Sequence, residues 1–193
     1  FLLAAGAMVT STGSGLSVPD WPLSFGQVMP PMEGGVFYEH GHRMVATAVG
    51  VLIIVLAFWL QRREPRAWLR QLGWVALALV IVQGVLGGLT VLLKLPVWAS
   101  AAHASVAQAF FMLVVFIALA LSPGWTRRSR MPEAADSRLP LWATLATAAI
   151  YVQLILGAVM RHMEAGLVIP DFPLAFGGLI PGVLMVMTVA LLG

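Results

Sequence analysis

Residues Glu39–Leu60 read EHGHRMVATAVGVLIIVLAFWL. From Met44 to Leu60 no side chain is charged, and the run is long enough to be read as a membrane-crossing helix. Glutamate, histidine and arginine crowd its mouth. Ionisable groups at such a boundary are costly unless they find partners, so Glu39, His42 and Arg43 mark a candidate site.

Composition supports a membrane setting for the rest of the chain. Of its 193 residues, 60% are hydrophobic and only 10% charged, and the mean hydropathy is +0.93. A soluble surface needs more charge than this. There is no cysteine, which excludes disulfides, iron–sulfur clusters and cysteine-held zinc within these residues. The basic residues lie in short loops, so nucleic acid is not an expected partner. Four spans are expected, at about 42–60, 72–93, 98–121 and 139–160. Residues 1–9 read as the end of an earlier span and 182–193 as the start of a later one. The chain opens on Phe1 and ends inside an apolar run, so it reads as a piece of a longer protein.

The basic residues orient the spans. Arg62, Arg63, Arg66 and Arg70 fill one loop, and Arg127, Arg128, Arg130 and Arg138 fill another. Cytoplasmic loops are enriched in such residues. The expected location is therefore the cell's inner (plasma) membrane, with these two loops in the cytoplasm. The intervening connections, and the histidine ends of the helices, then face outward.

An internal repeat organises the chain. Gly15–Pro30 reads GLSVPDWPLSFGQVMP and Gly166–Pro181 reads GLVIPDFPLAFGGLIP, at a constant offset of 151. Four helices separate equivalent points, so the two copies share one orientation and the repeat is not inverted. Their proline, glycine and aromatic residues suit a folded cap against the membrane interface, either as a rigid scaffold or as a ligand contact.

His42 and His103 each lie near the start of a helix running in the same direction, and hence at one depth. Two such imidazoles from neighbouring helices are what a haem iron needs on its two axial sides. The competing reading is two interfacial histidines, each hydrogen-bonded locally. Small residues surround His103, from Ala99 to Ala107, and could admit a flat macrocycle or close helix packing. For Gly84, Gly87 and Gly88 helix packing is the preferred reading. Glu39 and His42 share a face if the helix begins by Glu39. A carboxylate there could accept a proton, or simply favour the helix N-terminus. Arg43 could pair with a haem propionate or snorkel to headgroups. His40 is a weaker candidate, His162 and Arg161 read as interfacial anchors, and Gln83, Gln108 and Gln153 as bonds between helices.

In combination, the EHGHR element, QGVLGGLTV at Gln83–Val91 followed by His103, and the PDWPL and PDFPL loops resemble the haem A synthase family. The resemblance covers nearly the whole chain. It implies an all-α integral membrane protein, a multi-helix transmembrane bundle of tandem four-helix halves with eight helices in the intact protein. Residues 1–138 would form the first half, on the substrate-haem side. Residues 139–193 would begin the second, on the cofactor-haem side. The implied activity is oxidation of a haem O methyl group to a formyl group by successive hydroxylations, with water as the oxygen source. By resemblance His42 and His103 are the axial ligands of haem O, Glu39 is catalytic, and a haem b cofactor belongs to the second half. Implied partners are haem O synthase, the cytochrome oxidase assembly route, membrane lipid and, as an open choice, a second copy. Two departures stand out: some members carry a cysteine pair in the first outer loop, and this chain does not. The position offset from His42 is Gly193, and that from His103 lies past the last residue. A bis-histidine electron-transfer cytochrome and a transporter remain as alternatives.

Overall fold

The computed structural model describes residues 1–128, 138–163 and 165–167. Helix α1 (Leu2–Ser11) is followed by an ordered loop, then by α2 (Gly35–Arg63), α3 (Ala67–Leu92) and α4 (Val97–Leu121). A short α5 (Pro123–Arg128) precedes α6 (Leu139–His162), and a single 3-10 turn follows at Ala165–Leu167. The described residues contain no strand. The four helices α2, α3, α4 and α6 are each long and apolar enough to cross a membrane. The chain is thus an all-helical, multi-pass membrane protein.

The expected spans are all present, with shifted boundaries. The largest shift is at α2, which starts at Gly35 rather than at His42. Hydropathy registers only the apolar run, whereas the helical hydrogen bonds continue outward through Phe37-Tyr38-Glu39-His40 because loop residues cover that end. Gly34 supplies the turn into the helix, at φ +53°, a region that glycine enters without steric cost. Glu39 therefore lies inside the helix, four residues before Arg43 and three before His42.

Helices α1, α2, α3 and α4 pack as successive antiparallel neighbours, and α6 lies against α4. Ile53, Leu60, Leu69, Ala76, Ile117 and Ala120 form the buried core of α2–α4 at the end away from the histidines. Gly73 lets α3 approach there, since a Cβ at that position would lie 2.9 Å from Leu60 Cδ1. At the same end Arg66 pairs with Glu64 at 2.6 Å and donates to the Ala120 carbonyl, tying the α2–α3 loop to α4. The Arg66 guanidinium beside Glu64 holds its carboxyl below the usual range. Large apolar side chains such as Leu52, Trp59, Trp142 and Ile150 are exposed, as suits helices whose outer faces meet lipid. Apolar burial does not drive association in that solvent, so close packing at small residues matters more.

Helix α1 ends at Ser11 and α6 at His162, which are equivalent positions at the 151-residue offset. Most of the second copy of the repeated loop, and the apolar run from Gly182, lie outside the described residues. So does most of the basic segment between α5 and α6.

Candidate functional site at the loop end of the bundle

The loop between α1 and α2 folds back over the helix ends. Ser24 and Gln27 exchange backbone hydrogen bonds at 3.0 Å, closing a tight turn. The Asp20 carboxylate caps that turn, accepting from Phe25 N at 2.7 Å and Gly26 N at 2.8 Å. These backbone N–H groups, Gly26 first, hold the Asp20 carboxyl below its ordinary pKa. Trp21 lies flat against α3 at Gly88, where a Cβ would come within 2.7 Å of the indole. The glycine thus serves a loop aromatic, not a neighbouring helix as expected.

Arg43 fastens this loop to α2. Its Nη1 donates to the carbonyls of Asp20 (2.8 Å) and Leu23 (3.0 Å), and to Ser24 Oγ (3.4 Å). Its Nη2 donates to Glu39 Oε1 at 2.6 Å and to the Val18 carbonyl at 3.3 Å. The second Glu39 oxygen accepts from Val18 N at 2.8 Å. Glu39 is only 4% exposed, so the ion pair is drawn out of water and satisfied on several sides, as a buried pair must be. His40 is buried too, with Nδ1 2.8 Å from Ser24 Oγ and Nε2 unpartnered. Its place in the EHGHR element gave no hint of this bond, because its partner lies sixteen residues upstream.

The two candidate ligands come to the same end of the bundle. His42 on α2 is set against Gly6 of α1, and His103 on α4 against Gly87 of α3. Each Nδ1 is buried and has no hydrogen-bond partner. The imidazoles are within electrostatic reach of each other, and His103 is within reach of His162 at the end of α6. Gln83 Nε2 donates to the His103 carbonyl at 2.9 Å, the interhelical bond expected of it, and Tyr151 of α6 donates to the Ser105 carbonyl at 3.0 Å. Ala99, Ser100 and Ala101 are buried where α4 meets its neighbours. Arg161 donates to the Thr10 carbonyl at 3.4 Å, joining the ends of α6 and α1. Sequence reasoning had singled out both histidines and Glu39. It expected the aromatics of this loop, Trp21 among them, in a folded cap, and missed the turn closed by Asp20 and the His40–Ser24 bond.

No group of three or more histidine, aspartate or glutamate side chains gathers as a metal cluster among the described residues. The two imidazoles are half-buried at one end of the bundle, and a group that brings its own equatorial ligands, as haem does, needs no more from the protein than such a pair.

The family model COX15-CtaA, described as a cytochrome oxidase assembly protein, matches residues 1–191. The chain belongs to this family. Among curated relatives, it is 32% identical to the heme A synthase of Symbiobacterium thermophilum over 91% of the chain and 60% of that protein. It is also 32% identical to the heme A synthase of Alkalihalophilus pseudofirmus, over 94% of the chain and 62% of that protein. The heme A synthase of a Caulobacter species is 28% identical over 93% of the chain. The chain spans about three-fifths of the length of the curated relatives it matches. No solved structure matches it.

Proposed function

We propose that this chain forms the substrate-haem half, and the start of the cofactor half, of a haem A synthase. It would be an oxidoreductase that converts the methyl group of haem O to a formyl group by successive hydroxylations, with water supplying the oxygen. The observation that carries the reading is the pair of half-buried imidazoles, His42 and His103, brought to one end of the bundle with their Nδ1 atoms buried, with the buried Glu39 three residues before His42 on α2, in a chain similar to proteins named heme A synthase.

In this reading His42 and His103 hold haem O from its two axial sides and orient its edge. Each hydroxylation would remove two electrons and two protons as a water oxygen joins the methyl carbon; the electrons would leave one at a time to an external one-electron acceptor, and Glu39 would take up one of the protons. Its orientation is set by Arg43 and by Val18 N, while each carboxylate oxygen keeps a lone pair for substrate or water. Arg43 is committed to Glu39 and the loop carbonyls, so its contribution to haem binding is to fix the cap rather than to pair directly with a propionate. Trp21 and its loop exclude bulk water from above. A haem b held in the half that begins at Leu139 supplies one-electron transfer when bound. The halves are 1–138 and 139–193, the basic loops face the cytoplasm and the site lies near the outer face of the inner membrane. Haem O synthase delivers the substrate, and cytochrome oxidase assembly consumes the product.

The test is haem extraction and chromatography from membranes expressing the full-length protein together with haem O synthase. Haem A that appears with the parent protein and disappears with His42→Ala or His103→Ala is the expected result. Haem b alone, with a bis-histidine spectrum and no haem A, would replace the synthase reading with an electron-transfer cytochrome.

A further inference from the structure

Among the described residues, His42 and His103 show no hydrogen bond of the kind that usually orients a ligand histidine. A ligating imidazole ordinarily donates its other nitrogen to a carboxylate or a carbonyl, and that bond fixes the ring. Here both Nδ1 atoms are buried and unpartnered. What each ring has instead is a glycine on the preceding helix. A Cβ built on Gly6 would meet His42 Cε1 at 3.1 Å, with Nδ1 and Nε2 at 3.6 and 3.7 Å. A Cβ built on Gly87 would meet His103 Cε1 at 3.3 Å, with Nδ1 and Nε2 at 3.8 and 3.9 Å. In both cases the three nearest atoms belong to the imidazole and to nothing else. Gly84, one turn from Gly87 on the same helix, has nothing within 4 Å of such an atom. The two helix pairs, α1–α2 and α3–α4, therefore present the same arrangement: an imidazole near the start of one helix, laid on a bare stretch of backbone near the end of the helix before it.

We propose that Gly6 and Gly87 are positioning residues, each forming a seat that sets the plane of the axial imidazole opposite it. The proposal rests on His42 and His103 being the axial pair. With no hydrogen bond to hold the ring, steric contact is what limits its rotation. A methyl group at either seat must push the ring aside by a few tenths of an ångström, which turns the imidazole plane relative to its partner. Geometry set through packing in this way is felt as ligand-field strength and affinity, like other contacts behind a metal ligand.

Two measurements on the full-length protein test this. The haem-free protein is first put through a stability cycle by thermal unfolding in detergent. Gly6→Ala is expected to lower the midpoint in the parent and to be silent in the His42→Ala background. Gly87→Ala behaves the same way with His103→Ala, and Gly84→Ala is silent throughout. Equal cost with and without the imidazole would mean that the glycine serves the backbone of the next helix, and the seat is overturned. The protein is then titrated with ferric haem O. Gly6→Ala and Gly87→Ala are expected to shift the low-spin resonance of the bound haem and to weaken binding about tenfold, while Gly84→Ala matches the parent. An unchanged resonance and affinity in both variants would also overturn the proposal. Failure of the haem reading itself looks different: His42→Ala and His103→Ala would leave haem binding untouched, while the coupling in the stability cycle would persist.

Discussion

At Arg43, one side chain serves acceptors that are far apart in sequence. Its fork reaches Val18, Asp20, Leu23 and Ser24 of the loop as well as Glu39 of its own helix. A lysine would keep the charge but lose the planar fork. Arg43→Lys is therefore expected to loosen the loop by about 1.5–3 kcal/mol, the range for hydrogen bonds to a charged group. Faster amide exchange across 18–27, with unchanged exchange in α3, is the measurement. Glu39→Ala is expected to retain bound haem and lose conversion; full haem A production in that variant would remove Glu39 from the chemistry. Asp20 adds a dependence on pH. Its carboxyl is held below the ordinary value of 3.8 by the N–H groups of Gly26 and Phe25, so its contribution is present above that value and lost as pH falls through the depressed pKa. Exchange at the Phe25 and Gly26 amides should stay slow down to about pH 4 and rise only below that. The identities of Glu39, His42 and His103 were legible because polar residues stand out against an apolar run. The partners of Arg43 and His40 were not, because they depend on how a loop folds back.

The elements themselves were legible wherever lipid is the solvent. Long uncharged runs leave the backbone no choice but to satisfy itself, and α3, α4 and α6 appear close to where hydropathy put them. The start of α2 was the exception, since cover by the loop, not lipid, extends it outward to Gly35. Gly88 was misread for a related reason: a small residue announces a close approach without saying what approaches. Gly88 receives Trp21, and Gly73 receives Leu60. Gly88→Val is expected to lift the indole off α3, read as a red shift of fluorescence from a variant retaining Trp21 as its reporter, with the helices intact by circular dichroism. Gly73→Val, at the opposite end, should cost about 1–3 kcal/mol through overpacking and leave Trp21 where it is. Together the two variants separate cap attachment from bundle packing.

For the whole molecule, the repeat was the most informative signal, and loops carried it better than helices. A loop that needs Pro-Asp, an aromatic and Pro-Leu in order keeps them, whereas a lipid-facing helix accepts any apolar side chain. Equivalent end points of α1 and α6 follow the same offset, but the bundle contacts of α6 could not be read from sequence, because none of its residues is buried in the described structure. The lack of cysteine makes orientation directly testable by single-cysteine labelling. With an impermeant maleimide added to intact cells, Ser17→Cys is expected to react, and Arg63→Cys to react only after the membrane is opened. The reverse pattern would invert the assignment of the two faces.

The cap over the histidines is closed without a covalent bond. A loop stapled through sulfur would have its closure tied to the supply of oxidant around it. A clasp made from a guanidinium, a carboxylate and carbonyl oxygens is blind to that supply. The protein should keep its lid shut whether its surroundings are aerated or strongly reducing, and added dithiothreitol should leave cap closure unchanged.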